Sequence, residues 1–218
     1  MRKHLPNLLT VLRLVLSLVM FASLVAIGAG ERGAPISSDV GFALCWTAVI
    51  SFVVASVTDF LDGWLARRWN ATSVAGAVLD PIADKVLVCG AIVGMMATGM
   101  PYTFAAMGGL ILFREFAVSA MREVLAPRGI KLPVTFLAKS KTTLQLVALG
   151  AVMVIAFWPA WGIAATIAQL SIAWQWAQIG LAVATAVTLW TGVQYAQTAV
   201  RALRTAAAPP AEDRPATE

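Results

Sequence analysis

Long apolar stretches, separated by short segments that carry charge or turn-forming residues, make up most of this chain. Each stretch has about 20 residues or more, enough for a helix to cross about 30 Å of hydrocarbon. The pattern predicts an all-α, polytopic membrane protein with six transmembrane helices. They cover approximately residues 6–29, 39–68, 73–100, 102–127, 139–158 and 172–204.

Residues 142–200 contain no charged side chain and are too long for a single span. Pro159 and Gly162, surrounded by tryptophans, predict a turn at a membrane interface, where aromatic residues concentrate. Length alone would allow two or three spans here. Lysines precede the stretch and arginines follow it, so both ends are expected in the cytoplasm and the number of spans is two.

The remaining basic residues predict the orientation. Nearly all lysines and arginines fall on one side of the six predicted helices, whereas the opposite loops carry Glu31, Arg32 and Asp39. Because basic loops stay in the cytoplasm, both termini are expected there, in a multi-pass protein of the cell inner (cytoplasmic) membrane. Residues 1–205 form one predicted transmembrane domain, and residues 206–218 are predicted to be a disordered tail.

The composition agrees with a membrane protein and excludes other classes. Of the 218 residues, 60% are hydrophobic and 12% are charged, about half the charged fraction of a soluble domain. The net charge of +5 comes from basic clusters beside apolar stretches, which indicates lipid headgroups and no nucleic acid. Cys45 and Cys89 lie in apolar stretches without metal-ligand spacing, so we interpret them as buried hydrophobic side chains.

Four aspartates lie in or beside apolar helix, where an ionised carboxylate costs about 2.5–3.5 kcal/mol or more. The basic residues near them in sequence are too few to neutralise them, so two divalent metal ions are the simplest compensation. Carboxylate oxygens favour hard ions, Mg²⁺ or Mn²⁺, and two such ions suit displacement at phosphorus. The four residues are Asp59, Asp62, Asp80 and Asp84.

The spacing of these aspartates indicates that they meet. Asp59 and Asp62 are three residues apart and Asp80 and Asp84 are four apart, so each pair shares one face of its helix. A short link of turn-forming residues joins the two helices, and the two pairs lie at similar distances from it. An antiparallel hairpin is therefore expected to bring the pairs together near the cytoplasmic face of the bundle.

The same segment resembles the signature of the CDP-alcohol phosphotransferase family. Eight specified positions at fixed spacing over 26 residues match it in full, which makes chance agreement very small. The resemblance extends over about residues 5–200. The matching residues are Asp59, Asp62, Gly63, Ala66, Arg67, Gly76, Asp80 and Asp84.

The resemblance implies a role for each carboxylate. Asp59, Asp62 and Asp80 would bind one metal ion, and Asp59, Asp80 and Asp84 a second. Asp84 would also be the general base that takes the proton from the acceptor hydroxyl. The attack would fall on the β-phosphorus and release CMP.

The resemblance also implies a binding site for CDP-diacylglycerol. Gly63 and Ala66 would let the cytidine nucleotide lie against the helix, and Arg67 would contact the diphosphate, which suits its fork of donors. Ser73 resembles a family position that touches the nucleotide, and Gly76 is the further small residue of the signature. For Arg67 the alternative interpretation is a loop charge that only sets topology.

Further segments resemble the phosphatidylglycerophosphate synthase branch of the family. They include the start of the chain (residues 6–13), residues 79–85, Arg114-Glu115 and residues 138–143. This branch implies sn-glycerol 3-phosphate as the acceptor, and the family implies a homodimer.

The acceptor of that branch is a dianion, so its phosphate needs a cationic pocket. The candidates for this pocket are Arg13, Arg114, Lys139 and Lys141. Alternatives stay open, because Arg114 could form an internal ion pair with Glu115, and Lys139 and Lys141 could be topology signals that reach for the interface.

Three other functions are compatible with part of the pattern. The same chemistry could use another alcohol: inositol phosphate, serine or phosphatidylglycerol. Acidic residues within spans also occur in divalent cation transporters and channels, although here they cluster near one face instead of crossing the membrane. A catalytically inactive scaffold is the third, and the intact base position, Asp84, argues against it.

Overall fold

The protein is described by a computed structural model that covers residues 5–33, 36–69, 74–128 and 136–207, with the backbone alone at 5–6, 31, 62–69, 74–78, 128, 136–140 and 205–207. Every long element in these ranges is an α-helix, and no strand occurs in them, which confirms the all-α prediction. The helices are α1 (Leu5–Glu31), α2 (Ser38–Trp69), α3 (Val74–Ala97), α4 (Tyr102–Leu125), α5 (Phe136–Ala156) and α6 (Ile167–Ala207).

The length and hydropathy of the helices identify a multi-pass membrane protein. Among the described side chains, four helices (α1, α2, α4 and α6) contain stretches long and apolar enough to cross a membrane, with mean hydropathies from 1.3 to 2.4. The apolar part of α5 that is described, Lys141–Ala156, is shorter. At about 1.5 Å per residue, the 32 residues of α2 and the 41 of α6 extend well beyond about 30 Å of hydrocarbon.

The packing centres on α1, which lies against both α2 and α3. The close approach of α1 to α3 depends on glycine. A Cβ atom at Gly28 would stand 2.0 Å from the carbonyl oxygen of Ala97, and one at Gly94 would stand 2.7 Å from Cδ1 of Leu24. Small residues of this kind let membrane helices pack closely, because apolar burial alone does not drive them together in lipid.

One hydrophobic core joins all six helices, with α6 packing on α4 and α5. Its buried side chains come from every one of the six helices. They include Leu24, Phe52, Ile92, Phe104, Met153 and Leu181.

The predicted turn between the last two helices is confirmed. A 3-10 turn, Trp158–Trp161, follows α5, and Gly162 adopts a left-handed conformation with φ of 66°. The indole of Trp161 packs edge-on against Trp46 at 4.6 Å between ring centroids.

Helix α6 begins at Ile167, five residues before the predicted start. Thr166 and Gln169 form reciprocal hydrogen bonds between side chain and backbone, 3.2 and 2.9 Å long, which cap the helix at this point. At its other end α6 reaches Ala207, and the predicted disordered tail lies almost wholly outside the described residues.

Candidate active site

Asp59 of α2 and Asp84 of α3 meet at one nitrogen atom of α1. Nη1 of Arg13 lies 2.8 Å from Oδ1 of Asp59 and 2.5 Å from Oδ1 of Asp84. The side chain of Arg13 is 1% exposed, whereas those of Asp59 and Asp84 are 30% and 46% exposed. A buried guanidinium thus compensates one of the two negative charges of a pair of carboxylates that are partly exposed.

Asp80 is held by the same face of α1. The hydroxyl of Thr10 donates a hydrogen bond of 2.6 Å to Oδ1 of Asp80. Thr10 and Arg13 are three residues apart, so one turn of α1 presents both side chains together. Three of the four predicted carboxylates are therefore organised by a helix that is distant in sequence.

The donor chemistry of this cluster fits a hard cation. Among the described side chains, no three carboxylate, imidazole or thiol groups form a cluster that could hold a metal ion, and the side chain of Asp62 is not among those described. Yet Asp59 and Asp84 converge on a cationic nitrogen, and Asp80 accepts a hydrogen bond from Thr10. The two-metal site stays a prediction.

A cavity of about 540 Å³ extends from Asp84 toward α4, α5 and α6. Both cationic and anionic groups line it. Its charged and polar lining includes Asp84, Lys85, Arg114, Glu115, Arg122, Glu123, Lys141, Gln145 and Tyr195. A polar acceptor of modest size in this cavity would lie between the candidate base and the candidate cations.

Arg114 is a buried cation of the cavity with contacts to three neighbouring residues. It is 5% exposed. Its Nε donates to the carbonyl oxygen of Thr188 at 3.1 Å, and its Nη2 donates to Oγ1 of Thr191 at 3.1 Å. Gln145 of α5 donates to Oγ1 of Thr188 at 2.7 Å, which ties α5 to the same network.

Glu115 bridges the two buried cations. Oε1 of Glu115 accepts from Nη1 of Arg114 at 3.0 Å and also from Nζ of Lys141. The internal ion pair considered for Arg114 is therefore present, while both cations still line the cavity. One carboxylate shared by two cations leaves a net positive charge, which is compatible with binding an anion.

The comparison with known proteins gives the family. The sequence profile described as CDP-alcohol phosphatidyltransferase matches residues 3–190. The chain belongs to this family. The match covers the described parts of α1 to α5 and the first part of α6, and it ends before Thr191 and Tyr195.

Curated relatives of this CDP-alcohol phosphatidyltransferase share one name, CDP-diacylglycerol–glycerol-3-phosphate 3-phosphatidyltransferase. The protein from Cereibacter sphaeroides is 50% identical over 105 residues, 48% of this chain and 48% of its own length. That from Rickettsia bellii is 38% identical over 67% of this chain and 73% of its own. The protein from Escherichia coli K12 is 38% identical over 69% of this chain and 76% of its own.

The structure places the predicted residues of this transferase in two groups. Asp59, Asp80 and Asp84 form the carboxylate group, and Arg114 and Lys141 lie together at the cavity. Arg13, predicted for the acceptor phosphate, instead contacts the carboxylates. Asp62, Gly63, Ala66, Arg67, Gly76 and Lys139 are described by backbone only, within α2, α3 and α5, and Ser73 lies outside the described residues.

Several site residues were not predicted. Thr10 and Glu115 lay within segments that resemble the family but were given no binding role. Thr188, Thr191 and Tyr195 are polar residues at helical spacing (i, i+3, i+7) within an uncharged stretch. That periodic polar stripe was a readable signal that α6 faces a polar site.

Proposed function

We propose that this transferase moves the phosphatidyl group from CDP-diacylglycerol to sn-glycerol 3-phosphate, giving phosphatidylglycerophosphate and CMP. The observation that carries the proposal is the cavity in which Asp84 and the Arg114–Lys141 pair line the same space. A base at one end and buried cations beside it suit an acceptor that carries both a hydroxyl and a phosphate. The shared name of the three relatives supports this acceptor.

The chain's own residues would act as follows. Asp84 takes the proton from the acceptor hydroxyl, whose oxygen forms a bond to the β-phosphorus of CDP-diacylglycerol. The bond from that phosphorus to the bridging oxygen breaks, and the oxygen leaves with its electron pair on CMP. Arg114 and Lys141 hold the acceptor phosphate, and orientation of this kind lowers the barrier by making the attack intramolecular.

Two divalent ions, Mg²⁺ or Mn²⁺, would be held by Asp59, Asp62, Asp80 and Asp84. When bound, they would neutralise charge on the diphosphate and on the developing oxyanions. Thr10 and Arg13 orient the carboxylates from α1. Gly63, Ala66, Arg67, Ser73 and Gly76 are proposed to bind the CDP-diacylglycerol nucleotide.

In the proposed topology, six spans place both termini and the active site on the cytoplasmic side of the inner membrane. We also propose that the protein forms a homodimer. Support for the topology comes from the basic residues at the carboxylate end of the bundle, because basic loops stay in the cytoplasm.

The test is CMP release by the purified full chain with CDP-diacylglycerol and Mn²⁺, with and without sn-glycerol 3-phosphate. Release should require both the acceptor and the metal and should fall by about 10²–10⁴-fold in Asp84→Asn. Asp39 is exposed at the start of α2, so Asp39→Asn is the matched control and should retain activity.

Other outcomes have defined meanings. Release that depends on inositol phosphate, serine or phosphatidylglycerol would change the acceptor and keep the chemistry. Metal flux through liposomes without CMP release, from folded protein, would replace the transferase with a transporter.

A further inference from the structure

We propose that α6 is the positioning element of the acceptor site, and that Thr191 and Gly192 hold Arg114 in the orientation that binds the acceptor's phosphate. This inference rests on the proposed function and adds two residues of α6 that the carboxylate signature does not contain. Both are positioning residues, since they act through Arg114.

The contacts on α6 orient the guanidinium without cancelling its charge. Arg114 donates through Nε to the carbonyl oxygen of Thr188 and through Nη2 to Oγ1 of Thr191. Both acceptors are neutral. Oγ1 of Thr191 also donates to the carbonyl oxygen of Thr188 at 2.9 Å, so its rotamer is fixed and its lone pair faces Arg114.

Gly192 provides the space for the stem of Arg114. A Cβ atom at Gly192 would lie 2.8 Å from Cγ of Arg114 and 3.5 Å from Nε. Cγ lies near the start of the side chain, so a conflict there must move the whole guanidinium. The absence of a side chain at Gly192 and the hydroxyl of Thr191 therefore specify one position for Arg114.

The surrounding charge suits a phosphate in front of this guanidinium. Arg114 and Lys141 share the carboxylate of Glu115, and all three line the cavity with Asp84. A guanidinium has five N–H donors, and the three described hydrogen bonds use one on each nitrogen. These bonds leave one further N–H donor on each terminal nitrogen, and arginine can bind phosphate through two such donors.

The experiment uses the purified full chain with CDP-diacylglycerol and Mn²⁺. The KM for sn-glycerol 3-phosphate is measured at saturating CDP-diacylglycerol, and the KM for CDP-diacylglycerol is measured at saturating sn-glycerol 3-phosphate. Thr191→Val and Gly192→Ala should each raise the KM for the acceptor about tenfold or more. Both should leave kcat and the KM for CDP-diacylglycerol within about twofold of wild type. Thr191→Ser, which restores the hydroxyl, should recover most of the acceptor affinity.

Helix α6 offers matched controls for both substitutions. Thr185 is buried and bonds to the carbonyl oxygen of Leu181 in its own helix, so Thr185→Val removes a similar hydroxyl away from Arg114. A Cβ atom at Gly180 would meet nothing within 4 Å, so Gly180→Ala tests the same change without the conflict. Both controls should keep the wild-type KM for the acceptor.

Each result bears on the inference. An unchanged acceptor KM in Thr191→Val or Gly192→Ala, at wild-type melting temperature, would overturn it. So would an equal rise in the KM for CDP-diacylglycerol, since that indicates a general distortion. If the wild type uses a different phosphorylated alcohol, only the proposed function fails. The KM values of the variants relative to wild type are then measured with that alcohol. If it uses only an unphosphorylated alcohol, both proposals fail.

Discussion

Arg13 and Asp84 are 71 residues apart in sequence, yet Nη1 of Arg13 lies 2.5 Å from Oδ1 of Asp84. The same nitrogen contacts Asp59, so one buried cation of α1 joins the two helices that carry the family signature. Helix α1 thus belongs to the candidate active site as much as α2 and α3 do. Its guanidinium supplies part of the positive charge that balances the carboxylates.

The first prediction concerns this charge balance. Arg13→Gln should lower the melting temperature in EDTA by roughly 5 °C, because Asp59 and Asp84 then repel each other without compensation. Addition of Mn²⁺ should stabilise this variant more than it stabilises the wild type, since metal binding replaces the lost charge. Thermal unfolding in detergent with EDTA, and then with Mn²⁺, measures both effects.

Arg32→Gln is the control for that experiment. Arg32 is exposed near the other end of α1 and donates to the carbonyl oxygen of Ala97 at 3.2 Å. Arg32→Gln should change the Mn²⁺-induced shift in melting temperature little. Equal metal-induced shifts in wild type and Arg13→Gln would contradict the role given to Arg13.

The second prediction concerns Thr10. Thr10→Val keeps the shape of the side chain and removes the donor to Asp80. We expect CMP release to fall about tenfold, because a hydrogen bond to a charged group contributes about 1.5–3 kcal/mol. The melting temperature in EDTA should change by only a few degrees.

The comparison for Thr10 is Thr47→Val. Thr47 is exposed on α2 and bonds to the carbonyl oxygen of Ala43 in its own helix. Loss of the Thr47 hydroxyl should leave CMP release near the wild-type rate. A fully active Thr10→Val would show that α1 does not orient Asp80.

The third prediction is a coupling between Glu115 and Lys141. Glu115→Gln leaves two buried cations without their shared carboxylate and should destabilise the fold by about 2–4 kcal/mol. Lys141→Met alone should cost less, and the double variant should be more stable than the sum of the single effects predicts. Unfolding of all four proteins gives the interaction energy, and additive effects would argue against the shared ion pair.

The fourth prediction tests the contact of α1 with α3. Gly28→Ala should destabilise the protein by about 1–3 kcal/mol, because its Cβ would overlap the carbonyl oxygen of Ala97. Gly41→Ala, at a position where a Cβ meets nothing within 4 Å, should be neutral or stabilise by up to about 1 kcal/mol. Similar melting temperatures for the two variants would mean that the helices can separate at no cost.

The sequence by itself determined the elements and the family. Charged residues interrupt the apolar stretches at the intervals that membrane helices require. The helix bounds therefore followed from the pattern to within a few residues. The exception is the start of α6 at Ile167, which a local cap determines. The aspartate spacing indicated the proposed chemistry, because metal-assisted transfer would need oxygen donors on two adjacent helix faces. Asp59 and Asp84 could be placed together from the hairpin alone.

Only the tertiary structure decided which distant side chains complete the site. Arg13 carries a charge that would suit a phosphate or a carboxylate equally well, and packing of α1 against α2 and α3 assigns it to the carboxylates. Packing of α6 on α4 brings Thr191 and Gly192 against Arg114. A sequence pattern encodes the period of each helix but not its rotation against a neighbour, because that rotation depends on how all the side chains interlock.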